Sequence, residues 1–431
     1  MAYTFSVLLL ICSTVRLGQS YTGPDLPPGP YCGTYDQCCD HRQDDCSHTI
    51  LDTLCYCDQF CNRTRGHDDC CPDYHEVCLG IVPPPNLTEP CRHGNQLYLP
   101  GDTRSDGCNT CECVLENNDT VWSCSQDPCI IDDEVISRVN SDPSLGWRAY
   151  NYTQFQGKKL KDGLIYKLGT LPLSQETARI GAINLGKDIN YPTHFDARQK
   201  WRNFISPIVD QGWCGSDWAV SLATIVSDRF AIQSNGAEKV VLSPQTLLSC
   251  NVKGQQGCSG GHIDIAWTFA KKHGLVQENC FPYEAKRTKC PYHPRGNLMS
   301  DGCRPVVRQR TSRYTVGPPR RLNQERDVMY DIMQSGPIQA IMTVHQDFFH
   351  YRDGIYSHSR HGNQEKKLHS VRIVGWGEER GQKYWIVANS WGTEWGENGY
   401  FRIARGRNES GIESFMVAVL SDVNEAAYLR K

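Results

Sequence analysis

The run from Asp210 to Val220, DQGWCGSDWAV, decides how this chain is read. From its aspartate onward apolar side chains recur at Trp218, Leu222, Ile225 and Phe230, close to the 3.6-residue period, which predicts a helix opening at Asp217. Asn235-Gly236 supplies the C-cap signal that would end it. A carboxylate in the first turn of such a helix is stabilised by the positive end of the macrodipole. It is nevertheless a weak nucleophile, and its attack on an amide would give a strained, high-energy anhydride. Further on, GPIQAIMTV (Gly336 to Val344) alternates Ile338, Ala340, Met342 and Val344, which predicts a half-buried strand.

The same run resembles the active-site entry of papain-type proteases, Gln-Gly-x-Cys-Gly-Ser-Cys-Trp. Gln211, Gly212, Cys214, Gly215, Ser216 and Trp218 keep six of its seven defined positions, and Asp217 stands where the nucleophilic cysteine would open the helix. A thiolate there is activated by the dipole and by a neighbouring imidazolium. The resemblance implies roles for three further positions. Gln211 matches the side-chain donor of the oxyanion hole; His369, ahead of the VRIVGWG strand, matches the catalytic imidazole; Asn389 in ANSWG matches the residue that orients it. With no thiol to deprotonate, His369 and Asp217 are expected to form an ion pair, so Gln211, Asp217, His369 and Asn389 are degenerate catalytic positions. An aspartic-protease mechanism would require a second carboxylate sharing a proton, and the motif offers none.

Outward from the motif, YPTHFDAR with Trp201 looks like the start of a mature papain-fold domain of cathepsin B type. DFFHYRDGIY, HSVRIVGWG, KYWIVANSWG and GYFRIAR look like the antiparallel strands of its second lobe. Cys258-Ser259-Gly260-Gly261 resembles the family's groove wall, and the resemblance implies bridges Cys214 to Cys258, Cys250 to Cys290 and Cys280 to Cys303. Where cathepsin B carries an occluding loop with paired histidines, only His293 is present. The position of that enzyme's acidic pocket residue holds Phe415, and Ser410 replaces the usual cysteine before Gly411.

At 431 residues, the chain is long enough for several domains. The apolar run Phe5 to Cys12, followed by Gly18-Gln19-Ser20, reads as a signal peptide over residues 1–20. No later run reaches the ~18 apolar residues of a membrane span. Of 23 cysteines, the one in the leader is Cys12, and the 22 that remain form blocks of ten (Cys32 to Cys78), six (Cys91 to Cys129) and six (Cys214 to Cys303). Even blocks suit complete disulfide pairing in an oxidising compartment, a better account of the close cysteine pairs than zinc. The pairing inside the first two blocks stays open. Sequons at Asn62, Asn86, Asn118, Asn151 and Asn408 suit glycosylation. The net charge of −3 gives no reason to expect nucleic acid or a membrane surface as partner. Lys158-Lys159 with Lys161, and Arg320-Arg321 with Arg326, read as solvated faces rather than heparin sites.

Ahead of the papain-like part, the spacing C-x-C-x3-C…D-C-C-x-D-Y-x3-C from Cys55 to Cys78 resembles a somatomedin B domain, here spanning 28–79 with ten cysteines instead of the usual eight. So small a domain needs disulfides in place of a core. DGCNTCECV (Asp106 to Val114), Trp122 and Cys124 resemble part of a von Willebrand factor type C module over 88–130. GWRAYNYTQFQGKKLKDGLIYKLGTL, within 131–190, resembles the end of a cathepsin B-like propeptide and could stay in place as a permanent cover; 191–431 would be the papain-like domain. The expected fold is α+β, a helical lobe plus an antiparallel β-barrel lobe behind small disulfide-rich modules. In that order the blocks resemble the tubulointerstitial nephritis antigen-like glycoproteins. The resemblance implies a secreted, non-catalytic matrix or adaptor glycoprotein without cofactor or metal, whose partners are extracellular proteins: matrix components or, from similarity to insect members, a secreted signalling ligand of the Wnt type. The alternative is a secreted or lysosomal cysteine-type peptidase homologue with residual or unorthodox activity.

Overall fold

The computed structural model describes residues 29–34, 38–50, 53–62, 69–81, 90–117, 119–174, 180–183, 189–293, 302–304 and 310–423. The leader and the sequons at Asn86 and Asn118 lie outside them. Two compact units are present, one formed by residues before 107 with 110–125, the other by 107–109 with 126–431.

In the first unit disulfides take the place of a core. The hairpin Ser47–Ile50 with Thr53–Tyr56 is surrounded by bridges Cys32–Cys57, Cys38–Cys78, Cys39–Cys46, Cys55–Cys71 and Cys61–Cys70. Tyr31, Ile50 and Tyr74 supply most of its buried non-cysteine apolar surface. The Asp73 carboxylate accepts the backbone N–H groups of Tyr31, Cys32 and Gly33 at 2.8, 2.9 and 3.1 Å, closing the turn at 31–34 onto the knot. The following segment has a hairpin, Cys91–His93 with Gln96–Tyr98, and three strands, Thr103–Asp106, Asn109–Glu116 and Asp119–Cys124. Cys91–Cys113 and Cys111–Cys124 bridge it.

The second unit is α+β. Its chain begins with α1 (Asp133–Ser141), capped by the Asp132 carboxylate on the N–H groups of Glu134 and Val135, then β1 (Trp147–Ala149), α2 (Leu160–Tyr166), β2 (Ala182–Ile183) and β3 (Phe195–Asp196). The helical lobe follows: α3 (Asp217–Gln233), α4 (Pro244–Cys250) and α5 (Ile263–His273). The sheet lobe is built from β4 (Arg320–Leu322), α6 (Glu325–Ser335), β5 (Ile338–Val344), β6 (Tyr351–Tyr356), β7 (Lys367–Glu379), β8 (Gln382–Ala388), β9 (Tyr400–Ala404) and β10 (Met416–Ala418). One ten-stranded sheet runs β1-β6-β9-β8-β7-β5-β10-β4-β2, with β3 added on β7. Most pairs are antiparallel. The β6–β9 and β4–β2 pairs are parallel, a departure from the all-antiparallel expectation that arises where distant segments join the sheet.

Both elements predicted from periodicity form, but each is buried more completely than its pattern suggests. Residues Asp217 to Ala231 of α3 are all buried. The helix lies between α4 and α5 on one side and the sheet on the other, so its polar side needs internal partners: Ser221, Thr224 and Ser227 donate back to the carbonyls of Asp217, Val220 and Ala223. It ends where the sequence signals, Asn235 and Gly236 both taking positive φ (49° and 84°). Strand β5 is not half-buried but buried along nearly its whole length. Ile338, Ala340, Met342 and Val344 face the sheet-lobe core. On the other face Ile341 enters the helical-lobe core, while Gln339 accepts from Trp267 Nε1 at 2.6 Å and donates to Ser221 Oγ at 2.7 Å. A polar residue in an alternating pattern here marks a satisfied inter-lobe contact, not solvent.

One buried group makes the fold acid-sensitive. His350 is fully buried, and neither ring nitrogen has a hydrogen-bond partner among the described residues; burial depresses its pKa to about 4. The unfolded chain, with a histidine pKa near 6.5, binds that proton more readily. Stability is therefore complete above pH ~6.5 and declines as the pH falls toward about 4, by up to about 3 kcal/mol. Urea unfolding at pH 7.5 and 4.5 should show His350→Leu losing less stability on acidification than the unmodified chain; an equal loss would assign the effect elsewhere.

Candidate functional site

Asp217 opens α3, and its side chain is fully buried. Both oxygens are committed. Oδ1 accepts the Gly169 N–H at 2.7 Å. Oδ2 accepts the Thr170 hydroxyl at 2.6 Å, the Ser370 N–H at 2.8 Å and His369 Nδ1 at 3.0 Å. Four donors meet the carboxylate, one on Oδ1 and three on Oδ2. Thr170 Oγ1 also lies 2.7 Å from Ser370 Oγ, a second acceptor within reach of the same hydroxyl.

The other nitrogen of His369, Nε2, is 2.8 Å from Asn389 Oδ1. That amide oxygen is fixed as the acceptor because it also receives the Ser390 N–H at 2.8 Å. Both ring nitrogens thus donate, the hydrogen-bond pattern of an imidazolium, and His369 forms a buried ion pair with Asp217. Trp391 covers the ring at a centroid separation of 5.2 Å. Gln211 is engaged as well. Its Nε2 donates to the Cys214 carbonyl at 2.9 Å and to the Lys167 and Tyr166 carbonyls at 3.3 and 3.4 Å, while Oε1 accepts from Ser390 Oγ at 2.6 Å.

The structure therefore brings Gln211, Asp217, His369 and Asn389 together, but with residues 166–171 lying across them. That stretch is seated by backbone contacts. Gly261 N–H donates to the Gly169 carbonyl at 2.8 Å, and Leu171 N–H donates to the Gly261 carbonyl at 3.0 Å. The approach is close enough to require glycine, since a Cβ on Gly169 would fall 1.9 Å from the Gly215 carbonyl oxygen. Lys167 is buried beside them with Nζ 3.6 Å from Asp210 Oδ1, and burial pushes its pKa down. Gly169, Thr170 and Ser370 carry no sequence signal of a site. Gly169 and Thr170 fall within the propeptide-like stretch ending KLGTL, and only docking shows what they touch.

Cys214–Cys258 ties the motif to the groove wall, where Gly215 N–H meets the Cys258 carbonyl at 2.7 Å; Cys250 is joined to Cys290 and Cys280 to Cys303. Phe415 is buried in the helical-lobe core rather than lining a pocket. Ser410 takes a left-handed conformation, φ 50°. His293 is the last described residue before 294–301. Asn62 closes the turn Gln59–Asn62. Asn408 is exposed, its amide nitrogen 2.9 Å from Ser414 Oγ, and the Asn151 amide nitrogen lies 3.4 Å from Asp133 Oδ1. No helix among the described residues is long and apolar enough to cross a membrane.

Residues 191–420 match the model of the papain family cysteine proteases. Over 91% of its length the chain is 42% identical to tubulointerstitial nephritis antigen-like of Mus musculus, covering 88% of that protein, and it is 39% identical to the tubulointerstitial nephritis antigen of Bos taurus over 92% and 88% of the two chains. The chain belongs to the tubulointerstitial nephritis antigen family. Among solved structures, procathepsin B S9 from Trypanosoma congolense superposes with a TM-score of 0.57 at 27% identity, covering 68% of this chain and 99% of that one. For a tubulointerstitial nephritis antigen relative, the likeness to a proenzyme is informative. The match spans 68% of the chain, more than the papain-like domain alone, and the density of disulfides fits a secreted protein.

Proposed function

We propose that the protein is a secreted, non-catalytic glycoprotein in which the papain-type fold serves recognition, acting as an extracellular matrix or adaptor protein. Its partner is an extracellular protein, either a matrix component or a secreted signalling ligand of the Wnt type. The observation that carries this reading is Asp217: the residue in the nucleophile's place is a buried carboxylate with both oxygens hydrogen-bonded, paired to the imidazole that would otherwise serve as base. Loss of the nucleophile alone costs a serine hydrolase roughly 10⁶-fold in rate, and a thiol enzyme should suffer comparably.

The opposing reading, a peptidase with an unorthodox centre, draws on the intact alignment of Gln211, His369 and Asn389. Peptide hydrolysis by the purified full-length chain decides between them. The expected rate is that of buffer, unchanged by His369→Ala. Turnover well above buffer that disappears in the His369→Ala variant would overturn the proposal. Surface-immobilised full-length chain challenged with a Wnt-type ligand tests the partner assignment, and no binding at micromolar concentration would leave the matrix component as the partner.

A further inference from the structure

We propose that Asp217 is a clasp for the chain's own residues 167–171, making residues 131–174 a constitutive strap of the fold rather than a removable leader. The proposal concerns how the segment is held and does not depend on whether the protein cleaves peptides.

Three observations converge on it. The first is the direction of the hydrogen bonds: of the four donors on the Asp217 carboxylate, the Gly169 N–H and the Thr170 hydroxyl come from the strap. A hydrogen bond to an ionised acceptor is about twice as strong as a neutral one, and both bonds are buried. Second, the amide of Gln211 adds donors to the Lys167 and Tyr166 carbonyls, so two side chains at positions aligned with enzyme machinery hold the same five or six residues of backbone. Third, no disulfide among the described residues joins the strap to the body it crosses: the bridges close within 32–78, 91–129 or 214–303, so what seats the segment across the site is the clasp and buried side chains. Leu160, Leu164 and Leu168 are each at most 6% exposed, and Trp147 Nε1 donates to the Ser357 carbonyl at 2.9 Å.

A thiol at position 217 could not hold the strap this way, because sulfur is a weak acceptor and offers one atom where a carboxylate offers two. The exchange of sulfur for carboxylate thus both disarms the position and fastens the cover.

Hydrogen exchange followed by mass spectrometry on the full-length chain, resolved at Gly169 and Leu171 and at the β7 amides, tests the clasp. In the unmodified protein the strap amides should be protected to the same order as β7. Asp217→Ala should lower protection at Gly169 and Leu171 about 100-fold. Should Asp217→Ala unfold the domain, seen as loss of protection in β7, Thr170→Val decides, since it keeps the Asp217–His369 pair: an approximately 10-fold loss confined to the strap supports the clasp, and no loss overturns it. Strap amides exchanging as a free peptide in the unmodified chain would also overturn it. Peptide turnover enters none of these readouts, so an active enzyme would refute the proposed function without touching this result.

Discussion

Arg372→Met should lower the stability of the papain-like unit by about 3–5 kcal/mol, the cost of stranding a buried charge. The residue projects from β7 to α3, where its Nη1 donates to Asp228 Oδ2 at 2.6 Å and its Nη2 to the Ser206 carbonyl at 3.0 Å. Asp228 is fully buried and also accepts the Ser206 N–H at 2.6 Å. Burial raises the pKa of Asp228 even against the pull of Arg372 and Ser206, a sign that desolvation outweighs attraction. The pair therefore contributes little net stability while its breakage is expensive. The double variant Asp228→Leu with Arg372→Met should recover most of the loss. Guanidinium unfolding of both variants checks this: a loss of unfolding free energy below ~1 kcal/mol for Arg372→Met alone would mean that the site admits water and that the lobes are not joined through this charge.

Phe155→Ala should be nearly as costly, about 3–5 kcal/mol for a buried phenylalanine, although Phe155 lies in the strap. The ring is fully buried, edge-on to Phe349 at 5.3 Å and to Trp391 at 5.8 Å, and Trp391 in turn covers His369. Nearby Tyr152, also in the strap, is buried with its hydroxyl donating to the Tyr351 carbonyl and accepting the Gly396 N–H, and burial pushes its pKa up to about 12. A residue on a dispensable leader would lower only the affinity of that leader. A residue in the core lowers the unfolding free energy of everything around it, and the two are told apart by whether far-UV and tryptophan signals still unfold in one transition with an earlier midpoint. Two separated transitions would show the strap coming away by itself.

How much of this was legible in the sequence depends on the range of each interaction. The helix from Asp217 to Gln233 could be read from local periodicity, and its end from Asn235-Gly236, because helix formation and capping involve residues within a few positions of one another. Full burial of that helix could not: Ser221, Thr224 and Ser227 look like a polar face until the back-bonding to the preceding turn is seen. The same holds for β5, where Gln339 reads as solvent-facing but meets Trp267 and Ser221 across the lobe boundary. At the site, the motif placed Gln211, Asp217, His369 and Asn389 in register with a known arrangement. The partners of Asp217 in the strap, 47 and 48 positions upstream, are fixed only by docking a whole segment. Gly169 and Thr170 carry no pattern that would single them out.

Strand β1, the three residues Trp147–Ala149, forms one end of the ten-stranded sheet by pairing with β6. Remove it and the rim of β6 would offer a ladder of unpaired amide and carbonyl groups to any neighbouring polypeptide, an invitation to intermolecular association. So short a strand leaves little rim of its own. Its retention would therefore favour colloidal behaviour, keeping molecules apart at the concentrations a protein reaches where it accumulates.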